Sequence, residues 1–201
     1  VGAWHGQVSL ERAQDVDADP FVTHEHIAHP DDQHRGRLRP GGLVAAAAEG
    51  RAALTGQRIH AVRSIAGSAT LVDAPAPSGD WPVLTVAAAG ICGSDRGLLR
   101  FGLPVTIGHE IAGTIGDRTY CVEPTVACGQ CDQCAVGASQ RCRGPAPHGL
   151  LGVDFDGGMA DRVAVPADCL LELPAGLPVA DATLVEPMAV CWHAFRRVAA
   201  V

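Results

Sequence analysis

The sequence predicts a mainly β domain that carries a zinc-binding lobe and ends in a helix. Three observations carry this expectation. From residue 59 onward, short apolar runs are split by Gly- and Pro-rich turns, the pattern of an all-β barrel or sandwich. The run CGQCDQCAVGASQRC sets Cys128, Cys131, Cys134 and Cys142 at C-x2-C-x2-C-x7-C spacing, close enough for four thiolates to converge on one tetrahedral ion. Residues 181–197 read as a helix, with Asp181 near its start and Pro187 as a kink or break.

The elements follow in order along the chain. Residues 60–65 and 70–74 predict an opening hairpin, and APAPSGD at 74–80 is a loop. Residues 82–89 form a strand that delivers Cys92 at a Gly-bounded turn. Residues 111–115 and 119–123 pair across Gly116-Asp117, a two-residue hairpin turn. Gly157-Gly158 precedes a strand at 160–165, residues 166–169 turn, and 170–173 form another short strand. The expected core is Val83, Leu84, Val86, Ile91, Ile111, Ile115, Val122, Val163, Val165, Leu171 and Leu173. Cys121, Cys169 and Cys191 are expected as core thiols, His193 as a structural histidine, and Phe101 and Trp81 as walls of a substrate cleft.

Composition narrows the function. The chain has 201 residues and 47% hydrophobic content, enough for one sizeable core. Its 15 basic residues, all Arg, stand against 22 acidic ones for a net charge of −7, which argues against a nucleic-acid surface. No apolar run approaches the length of a membrane span. The N-terminus lacks a basic-then-apolar leader. A cytoplasmic location is expected, where reduced thiols suit zinc ligation.

The composition changes near residue 58. Residues 1–58 hold His5, His24, His26, His29 and His34 without a sustained period, and read as a disordered or spurious extension. One short helix at 43–54 is expected within them. His24-Glu25-His26 has the form of a metal pair, but nothing downstream completes such a site. Residues 59–201 are the expected folded domain.

A second set of metal-ligand types lies outside the cysteine lobe. GICGSD supplies Cys92, Ser94 and Asp95, IGHEIAG supplies His109 and Glu110, and LVEPMAV supplies Glu186. Cys, His and carboxylate are the donors of a catalytic zinc that leaves one position for water or substrate.

The order of these segments, with GVDFDGGMADRVAVPA between the cysteine lobe and LVEPMAV, resembles the zinc-dependent medium-chain alcohol dehydrogenases, and most of all their polyol and threonine dehydrogenase branch. The resemblance implies a GroES-like β-barrel catalytic domain holding two Zn2+ ions, one structural and one catalytic. Cys92, His109 and Glu110 or Glu186 would hold the catalytic zinc. Ser94 would pass a proton from the bound alcohol, and Asp95 would hold the ligand imidazole. The expected reaction is oxidation of a secondary alcohol of a polyol, sugar or hydroxy-amino acid, by hydride transfer to NAD or NADP. The expected partner is therefore a small-molecule alcohol or polyol, with neither nucleic acid nor membrane, and a homo-oligomer is compatible with the sequence. Gly97 departs from the family, which often carries a His there. No G-x-G-x-x-G follows Glu186, so the chain is expected to stop before a Rossmann coenzyme domain. The alternative reading is a zinc-binding module, or an inactive fragment, without its coenzyme domain.

Overall fold

The structure is a computed structural model that describes residues 56–145 and 147–199. The readings placed on His24, His26 and the helix at 43–54 lie outside the described residues. Two strands open the fold, β1 (Arg58–Ile65) and β2 (Ser68–Pro75), paired antiparallel. Ala66 and Gly67 both take positive φ between them, the backbone of a type I′ turn that matches the twist of the strands.

The main sheet has five antiparallel strands in the order β8-β3-β4-β5-β9. Its members are β3 (Val83–Ala89), β4 (Ile111–Ile115), β5 (Arg118–Val122), β8 (Arg162–Ala164) and β9 (Leu170–Glu172). The turn from β4 to β5 lies at Gly116-Asp117, as expected, with Gly116 at φ 57°. A separate small pair joins β6 (Thr125–Val126) to β7 (Gly149–Leu150).

Alternation along the strands sorts their side chains onto two faces. On one face Leu84, Ile111, Tyr120, Val122, Val163 and Leu170 form the main core with Val126, Leu151, Val165 and Cys169. On the other, Ala112 and Cys121 meet Ala182 from a 3-10 stretch at Val179–Leu184. Leu84 is fully buried. Leu84→Ala is expected to cost about 2–5 kcal/mol, read as a lower denaturant midpoint at unchanged slope.

Several expectations need correction. Ile91 is 82% exposed because it lies past the end of β3, and Leu171 is 45% exposed because Leu170 takes the inward position on β9. Trp81, partly buried, packs edge-on against Phe155 at the main core, with ring centroids 5.2 Å apart. Phe101 is exposed at the end of α1 (Asp95–Phe101), a helix the sequence reading missed. The C-terminal helix, α3 (Val185–Ala199), begins only after the 3-10 stretch. Pro187 falls in its first turn, where its missing N–H is tolerated, so it does not break the helix. Cys121 and Cys169 are buried, but Cys191 and His193 on α3 are exposed. Among the described residues, no helix is long and apolar enough to cross a membrane.

Candidate functional site

The pairing of β3 with β4 brings the scattered donors together. Ala89, the last residue of β3, pairs with Ile111, the first of β4. Residues just after β3 and just before β4 therefore meet at the same end of the sheet. Gly90 extends the contact by donating its N–H to the carbonyl of Glu110 at 2.8 Å. Cys92 follows on one side, and His109-Glu110 precede on the other.

Cys92, His109 and Glu110 each offer one ligand atom, and these atoms lie within 4.8 Å of one another. His109 and Glu110 are buried, and Cys92 is half-buried. Asp95, 2% exposed, organises the set from behind. Its Oδ2 accepts the Cys92 N–H at 2.9 Å, and its Oδ1 faces His109 Nδ1 at 3.5 Å. Among the described residues, neither Asp95 Oδ1 nor His109 Nδ1 has a hydrogen-bond partner, so the two buried atoms have only each other. A proton on Nδ1 directed at that carboxylate leaves Nε2 with a free lone pair, which is what a metal requires of imidazole. Nε2 lies 3.5 Å from the Ser94 hydroxyl, and Ser94 itself is exposed to solvent.

Glu186 lies outside this three-residue group. It sits in the first turn of α3, near enough for the charges of His109 and Glu110 to act on it. Burial raises its carboxyl above the ordinary range, against the opposing pull of His109, and Glu110 raises it further.

The second group is the cysteine lobe. α2 (Asp132–Ala135) starts directly after Cys131, and a 3-10 turn at Ser139–Arg141 leads into Cys142. The sulfur separations are 3.5 Å for Cys131–Cys134, 3.9 Å for Cys131–Cys142 and 4.0 Å for Cys128–Cys134. All the cysteines are free thiols. A zinc–sulfur bond of ~2.3 Å in a tetrahedron places its sulfurs ~3.8 Å apart, so the lobe has the span of a four-thiolate zinc site.

Backbone donors hold charge in the lobe. The Arg143 N–H, then the Cys134 N–H, bring the Cys131 thiol down to about 6. The Cys128 N–H lowers Cys142 through a 3.2 Å bond to its sulfur. Desolvation, then the neighbouring Cys131, pushes Cys134 up to about 12. Cys131 and Cys134 are thus pushed in opposite directions, a conflict that a divalent cation relieves by binding both as thiolates. An exposed ion pair between Asp132 and Arg143 closes the lobe from outside.

The alcohol dehydrogenase GroES-like domain family matches residues 78–175, a span holding both metal-ligand groups. Over that span the chain is similar to zinc-type alcohol dehydrogenases. It is 34% identical over 141 residues to a zinc-type alcohol dehydrogenase-like protein of Haemophilus influenzae, covering 61% of this chain and 40% of that protein. Galactitol 1-phosphate 5-dehydrogenase of Escherichia coli is 32% identical over 126 residues, with 55% and 35% covered. An Escherichia coli alcohol dehydrogenase solved with NADH superposes at a TM-score of 0.58 and 28% identity, covering 66% of this chain and 43% of that one. The chain therefore spans less than half the length of these alcohol dehydrogenases.

Two features of the metal-ligand groups were not foreseen. Asp95 was expected to hold His109, but it also fixes the backbone at Cys92. Glycines beside both groups leave room that a side chain would fill. A Cβ on Gly144 would overlap Cys128 Sγ and lie 3.2 Å from Cys131 Cβ. Glycine beside a donor motif was the available signal, since it often marks close approach.

Proposed function

We propose that residues 59–201 form the zinc-binding catalytic domain of a dehydrogenase acting on a secondary alcohol of a polyol, sugar or hydroxy-amino acid. The carrying observation is the buried group of Cys92, His109 and Glu110, backed by Asp95 and separate from the four-cysteine lobe. Three protein donors and an open position are the mark of a catalytic zinc, and four thiolates that of a structural one. The polyol phosphate and NADH in the names of the relatives support a polyhydroxylated substrate and a nicotinamide acceptor.

When bound, zinc supplies Lewis-acid polarisation of the alcohol oxygen, and the nicotinamide supplies a hydride acceptor. Cys92, His109 and Glu110 would hold the ion, with Glu186 in reserve beside them. Asp95 holds the His109 ring and the Cys92 backbone in place. Ser94 touches the His109 ring and is open to water, so its hydroxyl is suited to take a proton from the substrate and pass it outward. Cys128, Cys131, Cys134 and Cys142 would hold the structural ion. The set of free thiols fits a reducing, cytoplasmic setting.

Zinc counted per folded chain, after removal of loosely held metal, tests this reading. Two ions are expected. A count of one leaves only a structural zinc module and refutes the catalytic assignment.

A further inference from the structure

Gly90 is a glycine without a backbone reason. Its φ lies outside the left-handed region that excludes other residues, so an alanine would adopt the same conformation. The constraint is space. A Cβ there would overlap Glu110 Oε2, and would lie 2.9 Å from Glu110 Cβ and 3.1 Å from its Cδ. A carboxylate tip swings aside easily, but a Cβ moves only with its backbone. That backbone is pinned by the Gly90 N–H bond to the Glu110 carbonyl and by the Ala89–Ile111 pairing. Glu110 is only 7% exposed, so its carboxylate has little open solvent to turn into.

We propose that Gly90 is a positioning residue whose missing side chain lets the Glu110 carboxylate stand beside Cys92 and His109. This rests on the metal reading above. Gly93, three residues further on, is the natural control. It too has φ outside the left-handed region, and an added Cβ there would meet nothing within 4 Å.

The test uses the full chain loaded with Co2+, whose thiolate charge-transfer bands separate a four-thiolate site from one with a single thiolate. Gly90→Ala is expected to keep the four-thiolate ion and to weaken the other by about 10–100-fold, the usual loss when the support of a metal ligand is disturbed. Gly93→Ala should match the wild type at both sites. If Gly90 acts through Glu110, Gly90→Ala/Glu110→Gly, which removes the clashing atoms, binds the second ion no more weakly than Glu110→Gly alone. Should Gly90→Ala fail to fold, Gly90→Ala/Glu110→Gly decides the matter. Recovery of the fold and the four-thiolate ion would place the conflict at Glu110, and no recovery would overturn the inference. Unchanged affinity in Gly90→Ala, or additive losses with Glu110→Gly, would also overturn it. A wild-type chain that takes up a single ion would refute the underlying metal reading and this inference with it.

Discussion

Cys92→Ser is expected to release one of two bound zinc ions and to leave the fold standing. Cys92 sits beyond the end of β3, half-buried, and contributes nothing to the main core. Serine preserves its size and the backbone bond to Asp95 Oδ2, which uses the Cys92 N–H and not its side chain. What disappears is the one thiolate of the group, the donor that neutral serine does not replace. The loss should exceed the ~10–100-fold typical of an outer partner. Metal analysis beside far-UV circular dichroism checks this. One ion per chain with an unchanged spectrum is the expected outcome, and two retained ions would remove Cys92 from the site.

Cys128→Ser should do more harm with the same chemical change. The lobe has no apolar core of its own, and none of its four cysteines is fully buried. Its shape depends on sulfurs held 3.5–4.0 Å apart and on an exposed ion pair of little energetic weight. Structural zinc contributes its binding energy directly to folding. Removing one of four thiolates is therefore expected to empty the lobe and expose residues 128–144 to limited proteolysis. Zinc release combined with protease mapping checks this. Cleavage confined to those residues supports the reading, and resistance equal to wild type would show that the lobe stands without its ion.

The two metal-ligand groups differed in how far the sequence revealed them, and the reason is physical. The cysteine lobe was legible because its donors are neighbours in sequence, so spacing alone brings them together. The Cys92–His109–Glu110 group was approached through motif order, because only the β3–β4 register joins its parts, and register is a long-range property. Strands were legible where the turns announced them, as at Gly116-Asp117. Helix α1 was missed because DRGLLRF spans only seven residues and contains Gly97, too little for a helical period to emerge. Ile91 and Leu171 were misplaced for a shared reason. Apolar character was read as burial, but Ile91 lies beyond its strand and Leu171 has the wrong parity on β9. The relative places of Glu110 and Glu186 were not legible at all, since α3 reaches the site only through tertiary packing.

The meeting of two strand ends at the site has a consequence for breathing motions. Sheet ends normally fray, and here the final Ala89–Ile111 rung and the Gly90 N–H bond join the edge of the core, at Ile111, to the donors. An ion held by Cys92, His109 and Glu110 would clamp that end shut. At a free concentration 100 times its dissociation constant it would add about 2.7 kcal/mol against opening. Opening the rung and releasing the ion then become a single event with one free energy. Ile111 of that rung belongs to the main core, but Leu84, Tyr120, Val163 and Leu170 lie further along the sheet, so metal loss would loosen one end without melting it.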